Sequence, residues 1–86
     1  MANVFALEIV TPDKTFYNGN AEMIVVRTTE GDRGILKNHR PLVAGLSDGT
    51  LRLKREGKFK EAKISGGFVQ VEKEQAVILT ESAEWL

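Results

Sequence analysis

The chain has 86 residues, twelve of them Lys or Arg and twelve Asp or Glu, with one histidine and no cysteine. That length holds one domain with a real but modest core, and the balanced charge gives no overall field to draw the chain onto nucleic acid or anionic lipid. The missing cysteines exclude a disulfide or a thiolate metal site, and a lone histidine argues against an all-protein zinc site.

The opening Met-Ala-Asn-Val-Phe has neither a charged region followed by an apolar one nor an Arg/Ser-rich amphipathic character, and no run approaches a membrane span. The chain is therefore expected to be soluble and to work where it is made. Val4 to Val10 places Phe5, Leu7 and Ile9 on one face against Ala6 and Glu8, the period of a half-buried strand that ends at Thr11-Pro12-Asp13. Thr15-Phe16-Tyr17 is too short to assign, and Asn18-Gly19-Asn20 after it reads as a turn. Ala21 to Thr29 is the second strand. It carries Met23 and Val25 on one face and Ile24 and Val26 on the other, so both faces are covered or one is a docking surface.

The stretch from Arg27 to Gly45 holds the densest set of conformationally special positions. Gly31 and Gly34 suit a tight reversal using positive φ, and Pro41 drives Arg40 into an extended conformation fit for a strand start or a sheet edge. His39 lies in the same stretch, close in sequence to Glu30 and Asp32, a concentration that asks for a functional explanation.

Beyond it, Leu42 to Leu46 is a short apolar strand. Thr50 to Arg55 alternates Leu51 and Leu53 inward with Arg52 and Lys54 outward, Glu56-Gly57 turns, and Lys58 to Ser65 returns with Ala62 and Ile64 inside. Gly66-Gly67 marks a bulge or a close backbone approach. Phe68 to Glu72 and Gln75 to Thr80 form a last hairpin across Lys73-Glu74. Short strands with turn signals at roughly ten-residue intervals predict an all-β sandwich of two antiparallel sheets. In the tail, Ser82 suits a helix cap but Trp85 and Leu86 have nothing to pack on, so residues 1–81 are read as the sandwich and 82–86 as the start of a linker.

Each conspicuous group also has a plain reading. His39 as a general base or ligand competes with a loop histidine that bonds its neighbours, and no cysteine or second histidine accompanies it. A phosphate-cradling role for Gly31 and Gly34 requires a following Lys-Ser/Thr at a helix start, which is absent, so turn geometry is preferred. The basic hairpin from Arg52 to Lys63 puts its charges largely on outward positions with Phe59 as its one aromatic, the pattern of a solvated face. A free-standing hydrolase needs a nucleophile beside a base, and no convincing pair is present.

Taken in order, several segments resemble one family. Glu30-Gly31-Asp32-Arg33-Gly34-Ile35-Leu36 followed by Asn38-His39-Arg40-Pro41-Leu42 resembles the Glu-Gly-x-x-Gly and His-x-Pro signature of the epsilon subunit of F-type ATP synthases. Leu7-Glu8-Ile9-Val10-Thr11-Pro12, Gly49-Thr50-Leu51-Arg52, Ile64 to Val71 and Val77-Ile78-Leu79-Thr80 are similar to the same family's N-terminal domain. The resemblance implies a ten-stranded sandwich at the foot of a rotor, between the gamma subunit and the polar loops of the c ring. It implies no reaction and no cofactor of the chain's own. Such a subunit is peripheral on the cytoplasmic side of the bacterial plasma membrane within the F1 sector, with no nucleic-acid partner and with membrane association only through the complex. Glu30, Gly31 and Asp32 would meet the c ring; Thr11, His39, Val43 and Ala44 would lie at the gamma contact. The family's C-terminal helical hairpin, with its Ile/Leu-Asp-x-x-Arg-Ala nucleotide motif, has no counterpart in these residues, so ATP sensing and inhibition do not carry over. The competing reading is a small lipoyl- or biotinyl-type β carrier domain, but Asp13-Lys14-Thr15, its only modification-like motif, comes far too early in the chain.

Overall fold

The computed structural model describes residues 4–86. The strands are β1 (Phe5–Val10), β2 (Thr15–Ala21), β3 (Met23–Thr28), β4 (Gly31–Leu36), β5 (Leu42–Gly45), β6 (Gly49–Arg55), β7 (Lys58–Ile64), β8 (Phe68–Glu72), β9 (Gln75–Leu79) and β10 (Ala83–Trp85). Among the described residues there is no helix. Two five-stranded sheets result, ordered β2-β1-β9-β8-β5 and β10-β7-β6-β3-β4.

Alternation dictates which residues face inward. Leu7 and Ile9 of β1, Ile24 and Val26 of β3, Ile35 of β4, Leu51 and Leu53 of β6, Val69 and Val71 of β8 and Ile78 of β9 are fully buried between the sheets. Each such side chain contributes about 1.5–3 kcal/mol by leaving water, set against the chain entropy lost on ordering. A shift of one residue in any of these strands turns its apolar set outward, so the core fixes the register of both sheets.

The sandwich, the central apolar strands and the β6–β7 and β8–β9 hairpins stand as the residues predict. Four local features differ. The first sheet is mixed, because β1 pairs in parallel with β9 while every other pair is antiparallel; periodicity records which face is buried but not which way a neighbour runs. Asn18-Gly19-Asn20 is not a turn but the middle of β2, with Leu7 opposite Gly19 and Glu8 opposite Asn18. The chain reverses earlier, where Thr11 N–H donates to the Lys14 carbonyl at 2.9 Å.

The reversal in the central stretch falls at Thr29-Glu30. Gly31 has φ 117°, whereas Gly34 sits within β4 outside the positive-φ set, with the Met23 methyl 3.0 Å from where its Cβ would stand. Finally, Trp85 does have something to pack on. Ala83–Trp85 completes the second sheet against β7, and Trp85 packs on Phe16 at 4.5 Å between ring centroids and edge-on to Tyr17 at 6.1 Å. Those two rings lie in the segment too short to assign from the sequence, which is why the tryptophan lacked a visible partner.

Gly66-Gly67 confirms the close approach. Both glycines have positive φ, 56° and 102°, and a Cβ on Gly67 would stand 1.8 Å from the Leu79 carbonyl oxygen. No side chain can yield there, because the obstacle is backbone. Gly67→Ala is therefore expected to destabilise the domain by about 3 kcal/mol or more, seen as a lower urea midpoint with unchanged slope. Gly31→Val meets no neighbouring atom but forces a β-branched residue into positive φ, for an expected loss of about 1–3 kcal/mol in the same titration.

Candidate protein–protein interfaces

The β3–β4 turn is held by its own threonine. Thr28 is buried; its Oγ1 donates to the Gly31 carbonyl at 2.6 Å and accepts the Glu30 N–H at 3.1 Å. This leaves Glu30, Gly31 and Asp32 exposed on a braced turn. Asp32 accepts from Arg27 Nε at 3.4 Å, with both side chains more than half exposed, a pair that adds little to stability. The turn offers a partner carboxylates and an approachable backbone.

His39 is elsewhere. Gly31 pairs with Thr28 and Leu36 with Met23, so the Glu30 turn and the Lys37-to-Arg40 loop lie at opposite ends of β4. Five steps of about 3.3 Å separate those ends by roughly 17 Å. The concentration of special residues between Arg27 and Gly45 is thus one of sequence, divided by a strand. At its own end His39 is half-buried, Nδ1–H donates to the Arg40 carbonyl at 2.7 Å, and its backbone N–H reaches the Leu36 carbonyl at 3.2 Å. That carbonyl can only accept, which sets the proton on Nδ1. Asn38, at φ 67°, ties the loop to the β8–β9 turn through the Lys73 carbonyl. His39 is a bonded loop residue, and no group of three metal-binding side chains exists among the described residues.

The remaining predicted contacts surround the outer face of the first sheet. Val43 is 68% exposed on the edge strand β5, and its neighbour Ala44 is half-buried against the core. Thr11, at 8% exposure, has little surface to offer, and its hydroxyl closes the β1–β2 turn by donating to the Lys14 carbonyl at 3.1 Å. What joins these two places is a pair of residues that the sequence reading assigned to strands but not to the site. Val10, Leu79, Phe68 and Gly45 form one cross-strand row, and Glu8, Val77, Gln70 and Val43 form the next. Phe68 and Leu79 are 59% and 52% exposed, so an apolar stripe runs from Val10 toward Val43. A shallow groove beside it is lined by Thr11, Pro12, Phe68 and Leu79. The signal was present: once Val69 and Val71 are assigned inward, Phe68 must point out.

Met23 and Val25, the other candidate for a dry contact, are half-buried on the outer face of the second sheet. That face is interleaved with charge. Arg52 lies over the Phe59 ring at 4.4 Å and pairs with Glu61 at 3.6 Å, and the Lys54 ammonium is 5.8 Å from the same ring. It is the more polar of the two outer faces, as the solvated reading of the basic hairpin expects.

The chain matches the family described as "ATP synthase, Delta/Epsilon chain, beta-sandwich domain" over residues 4–86. Among curated relatives it is 55% identical to the ATP synthase epsilon chain of Alkaliphilus oremlandii over 99% of this chain and 63% of the relative. It is 44% identical to that of Caldicellulosiruptor bescii, over 94% and 59% respectively. It thus spans about three fifths of the length of these relatives. Among solved structures, a chain of the Euglena gracilis mitochondrial ATP synthase, in an OSCP/F1/c-ring assembly, superposes with TM-score 0.90 at 31% identity, covering 99% of this chain and 54% of that one. A chain of the Tetrahymena thermophila mitochondrial ATP synthase central stalk and c ring shares the fold, at TM-score 0.76 and 19% identity over 91% and 63%. A family match across the described chain, on a sandwich of the matching architecture, shows that this chain belongs to the ATP synthase delta/epsilon family through its β-sandwich domain.

Proposed function

We propose that the chain is a non-catalytic part of the rotor of an F-type ATP synthase, joining the gamma shaft to the c ring and so helping to couple ion flow to ATP turnover. The observation that carries this reading is that two exposed surfaces of different chemistry, the acidic Glu30–Asp32 turn and the Val10–Leu79–Phe68–Val43 stripe, are braced by one shared core. A close-packed interior deforms little, so load taken at one surface reaches the other with small loss. The Euglena and Tetrahymena chains, found in assemblies with a c ring, support the setting. In that setting the chain is peripheral on the cytoplasmic side of the membrane and is held there by its partners.

In this arrangement Glu30, Gly31 and Asp32 meet the polar loops of the c ring, where carboxylates pair with basic loop residues and Gly31 lets the backbones approach. The shaft covers the stripe on the first sheet, with Val43 and Ala44 at one margin and the turn at Thr11 at the other. His39 contacts the shaft from the far end of the sandwich. Aromatic and aliphatic groups that lose water at the centre of a contact give it most of its strength. The carrier-domain alternative is left without support by the family match.

Three measurements bear on this. Reconstitution of the enzyme without the chain should uncouple ion flow from ATP turnover; unchanged coupling would contradict the proposal. Asp32→Lys should weaken c-ring binding about tenfold or more through like-charge opposition, with the circular dichroism melt unchanged. Phe68→Asp should lower shaft affinity at least about tenfold while shifting stability by no more than about 0.5 kcal/mol, since the ring is already more than half in water.

A further inference from the structure

The last strand is held differently at its two ends. β10 lies at the edge of the second sheet, joined to β7 by three pairs, Ala83 with Ile64, Glu84 with Lys63 and Trp85 with Ala62, and by the Leu86 N–H to the Glu61 carbonyl at 2.9 Å. Its near end is pinned from within. The hydroxyl of Thr80, 5% exposed, donates to the Ser65 carbonyl at 3.0 Å and accepts the Ser65 N–H at 3.2 Å, and the Ser65 and Ser82 hydroxyls meet at 2.9 Å. The far end has the Leu86 bond to Glu61 and one half-buried ring. Trp85 crosses to β2, the edge of the first sheet, to lie on Phe16 and against Tyr17, with the Lys60 ammonium 4.4 Å over it. A three-pair strand thus spans one open side of the sandwich, and its grip on the opposite sheet is aromatic.

We propose that β10 is a strap that swings open about Thr80–Ser82 while the other nine strands stay paired. Opening frees the row of backbone groups along β7 and uncovers the faces of Phe16 and Tyr17. The physical basis is that an edge strand whose hydrogen bonds face solvent opens at a lower free energy than strands buried on both sides. Besides the β7 ladder, the closed state is held by the two aromatic contacts, each worth about a two- to tenfold change in the closed population. Thr80 and Ser65 do not share in the opening, because their bonds lie behind the pivot. The inference stands independently of the rotor assignment.

Native-state amide hydrogen exchange on the intact chain, followed in sub-denaturing urea, reads this directly. The Glu84 and Leu86 amides should exchange through openings at least about tenfold more frequent than those of the buried β3 and β6 amides, with a much shallower dependence on urea. Phe16→Ala should raise the frequency of β10 opening about two- to tenfold beyond any change in the core amides, and acrylamide quenching of Trp85, the single tryptophan, should rise with it. Leu36→Ala, on the opposite edge strand, should leave β10 as it is. Exchange of β10 at the frequency and urea slope of the core amides overturns the strap. So does a Phe16→Ala effect of equal size on β10 and the core.

Discussion

Everything exposed on this molecule is positioned by side chains that never meet water. Leu7 and Ile9 of the first sheet face Ile24, Leu51 and Leu53 of the second, and because side chains alternate along a strand, each buried residue dictates that its neighbours point out. Val69 and Val71 inside place Phe68 and Gln70 outside; Ile78 inside places Val77 and Leu79 outside. The apolar stripe on the first sheet is therefore a consequence of the core, and no local rule for surface residues would have produced it. The same holds for β4, where burial of Ile35 turns Arg33 toward the inter-sheet margin and leaves Asp32 on the outer face beside Arg27. A charge directed inward on an edge strand also hinders pairing with a foreign strand.

How far the residues disclose the molecule depends on whether a feature is written in one segment or two. The alternation of Thr50 to Arg55 and of Lys58 to Ser65 is local, and the hairpin they form matches what it predicts. Gly67 is legible for a related reason, since a glycine pair inside a strand pattern is costly unless backbone comes close, and Leu79 does. Features shared between distant segments are not legible in this way. Trp85 looked unsupported because Phe16 and Tyr17, 69 and 68 residues earlier, had no assigned strand to present them. Asn18-Gly19 carries strong turn chemistry, yet pairing with Leu7 and Glu8 keeps it extended, an instance of tertiary contacts overriding local preference.

The candidate site divides along the same line. Glu30, Gly31 and Asp32 are one turn, so their proximity in sequence is proximity in space. His39 follows nine residues after Glu30 but is carried away by the length of β4, while Val43 and Thr11, far apart in sequence, border one sheet face. Sequence neighbours across a strand are distant by construction, and sheet neighbours are close irrespective of chain order. Phe68 and Leu79 escape the sequence reading because their strands belong to different hairpin arms and border Val10 and Gly45 only through sheet pairing, so the row they form is not written in any one segment.

The parallel pairing of β1 with β9 carries a further consequence for how the chain reaches this state. β1 is an interior strand of its sheet, flanked by β2 on one side and on the other by a segment that begins at Gln75. β1 thus waits for a partner about seventy residues further along before both its rows of backbone groups are matched, and closing so large a loop is slow relative to hairpin formation. Until β9 docks, a β1–β2 pair leaves one row of β1 backbone groups unmatched. Completion of the first sheet is accordingly a non-local step that hairpins formed one after another cannot supply.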